Sequence, residues 1–157
     1  MPREVVGRDR PAGATSAQGL EGSVPVTLKY MLDTDTVSYA LRGIGQVSQR
    51  LVERLPSECC VSSISVAELR FGAAKRKSRK LTTLIDTFIG SVNVVAFDEE
   101  AATMYGIVAS ALLAKGCPIG NYDTLIAAHS RSLHLVLVTN NLKHFSHVEG
   151  LRLENWT

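Results

Sequence analysis

In the stretch YMLDTDTV, residues 30–37, the carboxylates of Asp33 and Asp35 stand two residues apart directly after an aliphatic run. Three kinds of chemistry use such a placement. Acids that converge on a divalent cation serve phosphodiester hydrolysis, and an Asp-x-Asp pair can act as nucleophile and acid partner in phosphoryl transfer. An Asp ahead of a helix can also do no more than cap it. Further acids and amides follow at wide intervals: Glu68 in SISVAELRFG, Asp123 in CPIGNYDTLIAAHS, and Thr139, Asn140 and Asn141 in VTNN. Each has a plain structural use. Asp33 suits the cap of a helix starting near Thr36, Glu68 a first helical turn, Asp123 a second cap, and Asn141 a loop.

The elements around these residues give them a common address. Residues 26–32, 59–65, 92–97 and 134–139 are short, aliphatic or β-branched, and bounded by polar residues, as strands buried on both faces of a parallel sheet are. Between them, Ala102, Tyr105, Val108 and Leu112 recur at helical spacing within residues 99–115, and residues 123–133 form a second helical pattern. Alternating strands and helices predict an α/β sandwich with a parallel sheet. Ligands of such sheets bind beyond the carboxyl ends of the strands. Asp33, Glu68 and Thr139–Asn141 all follow a strand, and Asp123 opens the helix leading into the last one. Carboxylates gathered there repel unless a cation lies among them, and Mg²⁺ accepts a few carboxylates while keeping several waters.

Composition sets limits on the alternatives. The 157 residues suffice for one domain, with 45% hydrophobic and 20% charged residues. Residues 1–25 hold four of the twelve glycines and three of the five prolines without periodicity, so a loosely ordered extension ahead of a domain at 26–157 is expected. The longest apolar run, IVASALLA, falls far short of the roughly 18 residues of a membrane span. Cys59, Cys60 and Cys117 are odd in number and read as reduced apolar residues of a cytoplasmic protein. A net charge of +2 does not by itself imply nucleic acid.

The words YMLDTDTVSYALRG, SSISVAELRFGAAK, FDEEAATMYGIVASALLAKGCPIGNYDTLIAAHSRSLHLVLVTNN and HFSHVEGLRLENW, in that order, resemble the PIN-domain ribonucleases, specifically the VapC-type toxins of toxin–antitoxin modules. The resemblance spans Val26 to Trp156. It implies a PIN-like three-layer sandwich, a mostly parallel sheet of four to five short strands flanked by helices, and an endoribonuclease dependent on Mg²⁺, with Mn²⁺ as a substitute. Asp33, Glu68 and Asp123 correspond to its three metal-holding acids. Asn141 stands where the wider family often has a fourth acid, and Thr139 would hold an acid or a water. Two residues after the first acid, Asp35 replaces the usual asparagine.

The resemblance further implies a VapB-type antitoxin inserting a C-terminal tail into the acidic site, with DNA reached only through that antitoxin. It also implies a homodimer, a toxin–antitoxin hetero-oligomer, no membrane attachment, and an RNA substrate, tRNA being the natural expectation. Arg70, Lys75, Arg76 and Lys143 are candidate contacts for RNA phosphates. Two readings compete. LDTDT also resembles the opening of haloacid-dehalogenase-type phosphatases, with Asp33 as nucleophile and Asp35 as acid. That scheme leaves Glu68 and Asp123 unused and finds no acidic pair after the last strand. A PIN fold that binds without cutting, its site reduced by Asn141, is the other.

Overall fold

The computed structural model describes residues 27–157; the expected extension at 1–25 lies outside them. Five strands, β1 (Tyr30–Leu32), β2 (Cys59–Ser62), β3 (Asn93–Val95), β4 (Val136–Val138) and β5 (Arg152–Glu154), form a single parallel sheet in the order β3-β2-β1-β4-β5. The helices are α1 (Thr34–Arg42), α2 (Val47–Glu53), α3 (Ser63–Arg76), α4 (Arg79–Ile89), α5 (Glu99–Ala114), α6 (Asn121–Ser132) and the single turn α7 (Leu142–Phe145).

Alternation within the central strands builds the three layers. Met31, Cys60 and Leu137 point to one face, where they pack with Val108 and Leu112 of α5 and Ile126 and Ala127 of α6. Leu32, Val61 and Val138 point to the other, against Val37 of α1, Leu69 of α3 and Ile85 of α4. The helix-spaced stripe expected over residues 99–115 is α5, packed on α6, but its buried face runs through Ala101, Val108 and Leu112, with Ala102 exposed. Desolvation pushes the Cys59 and Cys60 thiols up to about 11 and about 12, so both stay protonated and unreactive.

Trp156, 1% exposed, closes the second core beyond β5. Its ring meets Tyr30 edge-on at 5.1 Å, its Nε1 donates to Glu154 at 2.8 Å, and the Arg54 guanidinium lies over both rings.

Several expected boundaries move. The first strand is Tyr30–Leu32 rather than 26–32, because its ladders to β2 and β4 are three residues long. The second ends at Ser62, whose Oγ accepts from the Ile64 N–H and starts α3. The edge strand β3 is not buried on both faces, with Val94 43% exposed. The helix expected at 123–133 begins at Asn121: Gly120, with φ +95°, turns the chain, and Asp123 is inside the first turn instead of capping it. Glu68 is in the second turn of α3, not the first.

Candidate active site

The sheet order reverses at β1: the chain steps outward through β2 and β3, then returns to the opposite side of β1 with β4. The crevice beyond the carboxyl ends of β1 and β4 is therefore the place where an α/β sheet opens to a ligand. Asp33 follows β1 there and is 4% exposed. Its Oδ1 accepts from the Thr36 N–H at 2.7 Å, its own N–H donates to the Val138 carbonyl at 3.0 Å, and the Thr36 hydroxyl donates to the same carbonyl at 3.0 Å. Capping α1 and facing the crevice are thus one role for Asp33, not alternatives. Burial raises its pKa above the usual carboxylate range, while hydrogen bonds from Thr139 and Thr36 pull in the other direction.

Glu68 reaches the same crevice from α3, where the Thr34 hydroxyl donates to its Oε1 at 2.7 Å. Asp123 reaches it from α6. Desolvation raises the pKa of both. For Glu68 the Thr34 hydrogen bond comes next and pulls the other way, followed by the like charges of Asp123, Asp35 and Asp33; for Asp123 the next contribution is the like charge of Asp35. The structure therefore brings together Asp33, Glu68 and Asp123, contributed by three separate elements, and adds the exposed Asp35 as their shared negative neighbour. Among the described residues no lysine or arginine forms an ion pair with any of the four; only His144 approaches, its Nδ1 3.8 Å from Asp123 Oδ2.

Among the described residues, no three His, Cys, Asp or Glu side chains converge closely enough to ligate one ion directly. The donor set fits a hard cation that keeps most of its waters and takes one or two carboxylates, the usual habit of Mg²⁺. One consequence is measurable. Protons and a cation compete for carboxylates whose folded pKa values are raised, so the protonated forms favour the metal-free fold and the ionised forms cost it stability as pH rises. Mn²⁺ at a hundredfold excess over its dissociation constant should raise the melting temperature at pH 7.5 by roughly 10 °C. The increment should shrink steeply by pH 5 as protons occupy the site; an equal shift at both pH values would place the ion elsewhere.

The other expected residues fall in two groups. Thr139 lies at the crevice, its Oγ1 accepting from the Asn141 N–H at 2.9 Å. The Asn141 amide is 2.9 Å from His144 Nδ1, so Asn141 adjoins the acids by way of His144. Of the cations, Arg70 is ion-paired with Asp86 of α4, Lys75 and Arg76 end α3, and Lys143 is on α7. The sequence alone did not mark Thr34 as the group that holds Glu68, nor His144 as a neighbour of Asp123. The threonine directly after the first acid was the available signal for the former.

A family model described as PIN domain matches residues 30–151. The tRNA(fMet)-specific endonuclease VapC of Salmonella typhimurium is 36% identical over 130 residues, covering 82% of this chain and 98% of its own. Ribonuclease VapC2 of Haemophilus influenzae is 38% identical over the same length, covering 82% and 98%. Among solved structures, the crystal structure of DNA-bound VapBC from Salmonella typhimurium superposes with a TM-score of 0.77 at 36% identity, covering 83% of this chain and 99% of that one.

Proposed function

From the premise that the chain belongs to the PIN-domain family, as a VapC-type ribonuclease toxin of a toxin–antitoxin module, we propose that it cuts tRNA, initiator tRNA foremost, with Mg²⁺ or Mn²⁺ held among Asp33, Glu68 and Asp123, directly by one or two of them and through its waters by the rest. What supports the site is that three separate elements each direct a carboxylate to the crevice where the sheet order reverses, each carboxylate raised in pKa by desolvation. When bound, the ion would supply Lewis acidity, offsetting charge on the phosphodiester and making water more acidic. The chain's own groups do the positioning. Thr34 fixes one oxygen of Glu68, leaving the other for the ion or a water. Thr36 and Thr139 hold the Asp33 carboxylate against its own desolvation. His144, beside Asp123 and steadied by Asn141, can give or accept a hydrogen bond at the rim. Asn141 is neutral and contributes orientation rather than charge.

The phosphatase reading is set aside, because Glu68 and Asp123 share the site with Asp33. Initiator tRNA is favoured by the similarity to the tRNA(fMet)-specific relative. The partner is a VapB-type antitoxin whose C-terminal tail puts a cationic side chain among the four acids, none of which is ion-paired with a lysine or arginine among the described residues. Assembly is as a homodimer and a toxin–antitoxin hetero-oligomer, with DNA contacted through the antitoxin. Among the described residues no helix is long and apolar enough to cross a membrane.

The antitoxin-free protein, given a mixture of purified tRNAs with Mg²⁺, should cleave initiator tRNA at a discrete site, and EDTA should stop it. Cleavage spread evenly over all tRNAs would remove the substrate assignment, and cleavage that persists in EDTA would remove the metal.

A further inference from the structure

A groove of about 320 Å³ leaves the acidic cluster between α1 and α3, bounded by Asp35, Ser38 and Arg42 on one side and Glu68, Gly72 and Arg76 on the other. We propose that this groove is the path of the RNA strand on one side of the scissile phosphate, and that Arg42 and Arg76 hold its backbone; the proposal rests on the ribonuclease reading.

The helical spacing makes the two walls coherent. Residues 35, 38 and 42 recur along one face of α1, and 68, 72 and 76 along one face of α3. Both helices start at the crevice, so each wall begins with an acid and ends with a guanidinium. The eight-residue step from Glu68 to Arg76 is about 12 Å along the helix axis. A strand whose cut phosphate sits at the acids has further phosphates within that span.

The two arginines are available in a way that a third is not. Arg70, on the same helix, is neutralised by Asp86. Arg42 donates from Nε to the Ser38 carbonyl at 3.3 Å and lies over the Tyr39 ring, contacts that orient the guanidinium without cancelling its charge. Among the described residues neither Arg42 nor Arg76 has an ion-pair partner.

Gly72 supplies an independent observation. It lies inside α3, where glycine is a poor helix former. Its φ is not in the left-handed region, and a Cβ placed on it would meet nothing within 4 Å. Neither backbone conformation nor packing calls for glycine there. What the missing side chain leaves is the open width of the groove.

The floor is formed by Leu69 and Ile85, 7% and 1% exposed, with the partly buried Leu41 and Leu81 beside them. Two guanidinium groups without an ion-pair partner at the groove's end favour a polyanion.

The test uses the full chain and bulk tRNA, with Mg²⁺ at saturating concentration and salt varied. The Arg42→Ala/Arg76→Ala double variant should lose at least about tenfold in kcat/KM through KM, and its log–log salt dependence should be shallower by about 1.4, two single-strand contacts at about 0.7 each. Gly72→Leu, which fills the groove without touching charge, should raise KM severalfold while its melting temperature holds or rises. Wild-type cleavage with both variants matching it in KM and salt slope overturns the groove and leaves the ribonuclease reading intact. Variants that cleave normally but lose affinity for the antitoxin would also overturn it, by giving the groove a protein occupant. Failure of the wild type to cleave any RNA removes the reading beneath the proposal, and the proposal with it.

Discussion

Glu68→Gln should abolish RNA cleavage and, in the same protein, make the metal-free fold more stable at neutral pH. The two effects have one origin. Glu68 is half-buried on α3, its pKa raised by desolvation and then by Asp123, Asp35 and Asp33. Glutamine keeps the oxygen that accepts from Thr34 and removes the charge that those acids oppose. Cleavage should fall by at least roughly 100-fold, the scale on which a preorganised electrostatic group acts. Stability in EDTA should rise by less than about 1 kcal/mol, since solvent screens a group this exposed. The sign follows from linkage: a raised folded pKa favours the protonated acid, so the ionised wild type is at a disadvantage above that pKa. The variant's lead in melting temperature is therefore largest near pH 7.5 and fades as pH falls through the raised value. A Glu68 that served only as a helix residue would give a variant retaining most of its cleavage, and that result would remove it from the site.

Trp156→Ala should be the most damaging substitution outside the site, costing about 3–5 kcal/mol. The indole is 1% exposed, packs edge-on against Tyr30 of the central strand, and lies under the Arg54 guanidinium. Removing it leaves a cavity between β1 and the residues after β5. It also frees Glu154 from its indole hydrogen bond. Against a typical net stability of about 5–15 kcal/mol, the urea midpoint should fall sharply at unchanged slope. A cost below about 1 kcal/mol would mean that the C-terminal segment is not part of the core.

How far these features could be read from the amino-acid order depended on the range of the interaction. The apolar spacing through Tyr105, Val108 and Leu112 is a local repeat, and it specified the extent of α5 almost to the residue while missing by one the alanine that is buried, Ala101 rather than Ala102. The aliphatic runs around Met31, Val61 and Leu137 announced central strands, since burial on both faces needs no alternation. Arg152–Glu154 did not read as a strand from its residues, because a three-residue edge strand with two charges has no pattern to show. Asp123 looked like a cap since aspartate caps helices; the positive φ of Gly120 moved the start earlier, a backbone fact that residue preference does not express. The three acids could be named from the family's words. Their consequences could not, because the Thr34–Glu68 bond and the proximity of His144 to Asp123 exist only after the sheet assembles. Likewise Arg70 and Arg76 look alike in sequence, and only the packing of α3 on α4 pairs the first with Asp86.

The order of the strands also decides when during synthesis the enzyme can exist. β1 is made first and occupies the centre of the sheet, yet one of its two neighbours, β4, is translated after every one of the acids. The Val138 carbonyl that receives the Asp33 N–H and the Thr36 hydroxyl belongs to that late strand, and Trp156 follows later still. Pairings so distant along the chain form late, after a large loop has been closed. A polypeptide that ends before Val136 would carry Asp33, Asp35, Glu68 and Asp123 without the strand whose carbonyl fixes Asp33 and Thr36.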